Sequence, residues 1–151
     1  MEESSALTQI ILKLIEKRLG DQIRDYSFPP PVFTSMNGEF LHLDLEAGLL
    51  SVKFPISKDL LNPYGTMQGG MIVAAVDNTI GPLSVVVAPP SVTRSMEIVF
   101  SKPVKFEMKH IIVLARLKGQ EGPQLAFDAE VRSPDGAKLA RVKARHWIIQ
   151  T

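Results

Sequence analysis

The last third of this 151-residue chain leaves little freedom for folding. Beyond "APPS" at 88–91, apolar residues recur at every second position. The clearest run sets Leu125, Phe127, Ala129 and Val131 against Asp128, Glu130 and Arg132. A period of two means extended chain with one wet face and one buried face. Strands are expected near 92–101, 104–118, 124–132 and 138–149. "SPDGAK" between the last two is a hairpin turn, because Asp and Gly accept the backbone angles such a turn requires. A run of such strands makes an antiparallel sheet whose apolar face needs a cover.

The first ninety residues supply that cover. Residues 70–87 form an apolar helix with Ile72, Val76, Ile80, Leu83 and Val87 on one stripe. Pro82 is expected to kink or end it. Upstream, Leu41, Leu43 and Leu45 alternate with His42, Asp44 and Glu46. After the turn "EAGL", Leu50, Val52 and Phe54 alternate with Ser51 and Lys53, which makes a hairpin with one buried face. Near the start, Leu7, Ile10, Ile11, Leu14, Ile15 and Leu19 share a helical stripe. Glu2 and Glu3 stand at its positive end, Lys17 and Arg18 at its negative end, and Gly20 stops it. "FPPPVF" then forbids helix and reads as an extended connector. The order of helix, hairpin, long helix and strands is an α+β arrangement, a large antiparallel sheet around one central helix. One domain is expected over 1–151, with the first helix in 1–20 and the core in 32–149.

Composition excludes several chemistries. With no cysteine there is no disulfide, thiolate metal site or cysteine nucleophile. His42, His110 and His146 lie far apart without ligand spacing, so no metal is expected. No Gly-x-Ser-x-Gly elbow is present, and "GTMQGG" lacks the Lys-Ser/Thr pair of a phosphate-binding loop. The acidic start lacks the order of a signal peptide. The apolar stretch from Met71 to Pro90 is broken by Asp77, Asn78, Gly81 and Pro82, so no membrane span and a cytoplasmic location are expected. Charge is uneven: 7 basic and 11 acidic residues over 1–101 give −4, and 10 and 5 over 102–151 give +5. Arg141, Lys143, Arg145 and Trp147 share one face of the last strand. That strip reads as a solvated outer face or subunit contact before a nucleic-acid site, and no nucleic-acid partner is expected. His146 and His110 read as packed histidines, and His42 as a solvent-facing one.

The chemistry concentrates in "NPYGTMQGGMIVAAVDN", residues 62–78. A helix starts with unpaired N–H groups and a positive dipole end, and Gly69 and Gly70 let a ligand oxygen approach them. Asp77 lies at the margin of the apolar stripe, where a carboxylate loses hydration, needs a partner and can become a base or nucleophile. Seven residues separate Gly70 from Asp77, about 10 Å along the axis at ~1.5 Å per residue. Asp77 therefore cannot reach an oxygen held at its own helix start. If both features serve one site, that site is shared between two copies related by a two-fold axis.

This segment resembles the signature of hotdog-fold acyl-CoA thioesterases of the phenylacetate-pathway type, in which Asn, Gly, His-Gly-Gly and a helix Asp or Glu recur at fixed spacings. Asn62, Gly65, Gly69, Gly70 and Asp77 match. "VTRSMEIVFSKPV" resembles the family's next strand, with Thr93 at the hydroxyl position and Pro103 at the proline. The resemblance implies a hotdog fold over about 32–149. It also implies hydrolysis of a coenzyme A thioester without further cofactor, and self-association to a dimer and a tetramer. Asp77 would activate water or attack the thioester, Asn62 hold water or acyl group, and the Gly69 N–H polarise the carbonyl. Gly65 and Gly70 would shape the substrate site, and Thr93, from the same protomer as Asp77, would bond near the water or carboxylate. Gln68 stands where the family has His. It can donate and accept hydrogen bonds but cannot protonate a leaving thiolate. That opens two alternatives, a non-catalytic acyl-CoA binding protein and, ranked lower, a hotdog hydratase or dehydratase.

Overall fold

The computed structural model describes residues 2–149, so positions 1, 150 and 151 of the expected domain lie outside the described residues. Helix α1 (Glu2–Leu19) follows its charge pattern and buries Ile11, Ile15 and Leu19, while Ile10 on the same stripe is 53% exposed. It packs on α3 and β1, defined below. The segment "FPPPVF" does not stay extended. Pro31 opens a short helix, α2 (Pro31–Ser35), occupying its first turn, where the missing N–H has no intrahelical acceptor to lose.

Strands β1 (Glu39–Asp44) and β2 (Leu49–Pro55) make the expected hairpin, but not with the expected leucine face. The register shifts between Phe40 and His42, so Phe40 goes inside opposite Val52, and Leu43 lies opposite Leu50. Leu41 and Leu45 are left 39% and 49% exposed. An extra residue in one strand reverses which positions face the core. On β2, Leu50, Val52 and Phe54 are buried as their alternation implies.

Helix α3 (Gly69–Val87) runs through Pro82 instead of ending there. A proline ring clashes with the Cβ of the residue before it in helical backbone, and here that residue is Gly81, which has none. The remaining strands are β3 (Ser91–Phe100), β4 (His110–Glu121), β5 (Gln124–Arg132) and β6 (Lys138–Ile148). β4 begins six residues later than its pattern implies. A tight turn at Phe106–Met108 and Lys109 in the left-handed region (φ +70°) interrupt the extended chain. "SPDGAK" turns as expected, with Gly136 at φ +89°.

The six strands form one antiparallel sheet in the order β1-β2-β4-β5-β6-β3. It curves around α3, whose Ile72, Ala75, Val76, Ile80 and Leu83 are at most 3% exposed. Facing them are Val52, Phe54, Ile111, Val113, Leu125 and Phe127. Each such large side chain contributes about 1.5–3 kcal/mol on burial, so this contact holds helix and sheet in register. The outer face is polar and balanced: Glu130 binds Lys138 at 2.9 Å and Arg132 at 2.7 Å, and it lies opposite Arg141 as Asp128 lies opposite Lys143. The basic strip of β6 is the wet side of this sheet.

Candidate active site

The approach to α3 is a built turn. The Asn62 carboxamide oxygen accepts the amides of Tyr64 (3.0 Å) and Thr66 (3.1 Å), and its nitrogen donates to Thr66 Oγ1 (2.9 Å). Gly65 closes the turn at φ +79°, in the region that favours glycine. Asn62 thus shapes the loop, keeping one amide hydrogen uncommitted. Gln68 precedes the helix in extended conformation, its exposed side chain making no cap bond. Its carbonyl accepts from Met71 and Ile72, so the amides of Gly69 and Gly70 are the first N–H groups of the helix. Gly69 borders a cleft of about 250 Å³ lined also by Met67, Phe100, Lys102 and Pro103.

Two turns along α3, Asp77 is exposed in the single chain, not at a dehydrated core margin. It sits on the face that the chain's own sheet leaves uncovered, alongside Gly70, Val73 and Ala74. Its partner is Thr93, whose Oγ1 donates to Oδ1 at 2.8 Å. That contact depends on a register shift in β3 between Thr93 and Ser95. In an unbroken strand Thr93 would share a face with Ser95 and Glu97. With the shift, Thr93 faces α3 together with Met96 and Ile98, opposite His146, Ala144 and Val142 of β6.

The structure also recruits a residue that the sequence presented only as packing. His146 is 2% exposed, edge-on to Phe127 at 5.0 Å. Its Nε2 lies 3.1 Å from Thr93 Oγ1 and its Nδ1 3.1 Å from Ser91 Oγ. Burial lowers its pKa below the ordinary histidine value, with the Asp77 charge pulling upward against that. A polar ring on the apolar face with Ala140, Val142 and Ala144 was the one sequence signal of its role.

Asp77, Thr93 and His146 open onto an apolar cavity of about 390 Å³, walled also by Val85 and by Tyr26 and Phe28 from the segment after α1. Asp77 and Gly69 therefore border different cavities of one chain. A carboxylate with one oxygen fixed and one free, beside an apolar chamber, can activate water against a bound acyl group.

No protein-family model matches the sequence, and no curated protein matches it. Solved structures do. A phenylacetic acid degradation-related protein from Ralstonia eutropha JMP134 is 24% identical with a TM-score of 0.75, over 89% of this chain and 98% of that one. The E. coli PaaI protein from the phenylacetic acid degradation operon gives 0.75 at 15% identity, over 91% and 96%. A hypothetical thioesterase from Streptococcus pneumoniae TIGR4, solved with coenzyme A, gives 0.71 at 17% identity, over 78% and 91%. The fold is the hotdog fold of these proteins.

Proposed function

We propose that the chain is an acyl-CoA thioesterase whose two sites are each shared between two copies. The observation that carries the reading is the Thr93–Asp77 contact at the mouth of an apolar cavity. Thr93 occupies Oδ1 and leaves Oδ2 for water. The water oxygen attacks the thioester carbon while its proton passes to Asp77, an assistance worth about 10²–10⁴ in rate. The carbonyl oxygen, gaining charge, accepts the Gly69 N–H of the partner copy, and such a donor contributes about 2.7–4 kcal/mol. Collapse expels coenzyme A thiolate and leaves the free acid. The thiolate takes up one proton, so water and thioester become acid and thiol. The acyl group occupies the chamber behind Asp77. Asn62 holds the loop that presents Gln68 to the thioester.

The exposed face of α3 and the free edge of β3 support the pairing. Val99 and Phe100 at that edge are 43% and 48% exposed. Two β3 strands side by side would set two α3 helices antiparallel, each acid opposite the other's amide end, and face-to-face association would give a tetramer. The pneumococcal neighbour, solved with coenzyme A, supports the ligand class. Gln68 favours a second reading, in which acyl-CoA is bound but not cleaved, because no imidazole stands at the helix start. One experiment separates them. Thiol release is followed with aryl, short-chain and long-chain acyl-CoAs for the native protein and Asp77→Asn. Turnover lost in the variant is expected; near-full turnover would overturn the assignment. Tight binding without thiol release from any of them would favour the binding protein.

A further inference from the structure

Four groups on three elements lie in one line of hydrogen bonds: Ser91 Oγ, the His146 ring, Thr93 Oγ1 and Asp77 Oδ1, at 3.1, 3.1 and 2.8 Å. The direction of each bond follows from the last. An ionised carboxylate only accepts, so the single hydroxyl proton of Thr93 goes to Asp77. Thr93 can then meet His146 only as an acceptor, so Nε2 carries a proton. A neutral ring protonated on Nε2 has a bare Nδ1, and Ser91 must donate to it. The ring has no freedom to turn. It is 2% exposed, opposite Thr93 on one neighbouring strand and Leu125 on the other, and edge-on to Phe127. Asp77, beyond Thr93, is the charge felt at the ring.

We propose that His146, held by Ser91, is a positioning residue that locks the Thr93 hydroxyl proton onto Asp77 Oδ1 and so keeps Oδ2 aimed at the substrate. Without the imidazole donor, the Thr93 hydroxyl turns freely and shares its proton with water. Asp77 then loses a fixed hydrogen bond, and with it the orientation of the free oxygen. The role rests on Asp77 being the reacting carboxylate.

The test compares His146→Phe, which fills the space without a donor, with His146→Gln, whose amide nitrogen can replace Nε2–H. With the best acyl-CoA, His146→Phe is expected to lower kcat roughly ten- to a hundredfold with KM within about twofold. His146→Gln should recover most of the lost kcat. Adding His146→Phe to Thr93→Val should cost little more than Thr93→Val alone, since both break the same chain. A His146→Gln protein no better than His146→Phe, or losses that add, would overturn the proposal. Imidazole nitrogen NMR decides without activity: the native ring should be the Nε2–H tautomer, and Asp77→Asn, which can donate to Thr93, should shift it toward Nδ1–H. A native Nδ1–H ring would overturn the relay. If the native protein releases no thiol, the thioesterase reading falls, and the tautomer still decides whether the relay exists.

Discussion

A Cβ placed on Gly69 would stand 3.2 Å from the Cζ of Phe100, whereas one on Gly70 would meet nothing within 4 Å. The two glycines at the start of α3 are thus not equivalent. Gly69 is small partly because the edge strand leans on it; nothing in the packing of the described residues requires Gly70 to be small.

Gly70→Ala should therefore raise stability by up to about 1 kcal/mol, through lower unfolded-chain entropy. It should still slow thiol release, because the methyl enters the space the thioester approaches through. Gly69→Ala should cost at most about 1 kcal/mol, since the Phe100 ring is half exposed and can yield. Its activity should drop roughly ten- to a thousandfold as the carbonyl loses its closest approach to the amide. Thermal denaturation beside thiol release measures both quantities. A fully active Gly70→Ala would reduce that glycine to a turn former.

A shared site makes a prediction that a single-chain site cannot. In a mixed dimer of Asp77→Asn and Gly69→Val, one site carries both defects and the other none. Unfolding and refolding the two inactive variants together should restore roughly a quarter of native activity, half the dimers being mixed with one good site each. No recovery, with mixed dimers verified by mass, would place both features in separate compartments.

Acid should weaken the fold in two steps. The folded-state pKa of His146 lies below its ordinary value of 6.5, because burial disfavours the charged ring. The unfolded chain therefore takes up that proton first, and stability full above about pH 6.5 declines from there toward the folded pKa. Glu39 and Glu130 are shifted the same way from 4.5 for a different reason: Lys53 holds the first, and Lys138 with Arg132 the second, in the charged form. Their contribution is present above pH 4.5 and is lost as pH falls below it. Denaturant midpoints from pH 8 to pH 3 should show both declines, and His146→Gln should abolish only the upper one.

The alternation after residue 91 and the apolar period of 70–87 carried the architecture, because burial of one face is what both patterns record. What they could not carry is where the period breaks. Single-residue register shifts in β1 and β3 reverse which side chains face the core, and no residue in "EFLHLD" or "VTRSME" announces them. The site divides along the same line. Asp77 and the glycines stand out because a carboxylate on an apolar helix and a glycine pair at its start are locally odd. His146 and Ser91 join them only through strand pairing, at a separation of 55 residues, and the Tyr26–Phe28 wall arrives from a segment with no motif of its own.

That wall sets the last prediction. The chamber behind Asp77 holds about 390 Å³, with Val85 on its helix side and Tyr26, 39% exposed, at its rim. An acyl chain gains about 0.8 kcal/mol for each methylene it buries there, so substrates that fill the chamber should be favoured until they reach its end. Val85→Phe narrows it from the helix side without touching the hydrogen-bonded chain. The expected result is a fall of at least about tenfold in kcat/KM for aryl and long-chain thioesters, with acetyl-CoA little changed. Tyr26→Ala opens the rim at little cost in stability and should move the optimum to longer chains by one to three carbons, roughly the length of the removed ring. The ratio of kcat/KM across an acyl-CoA series measures both shifts. Parallel losses on every chain length would mean that the acyl group lies elsewhere.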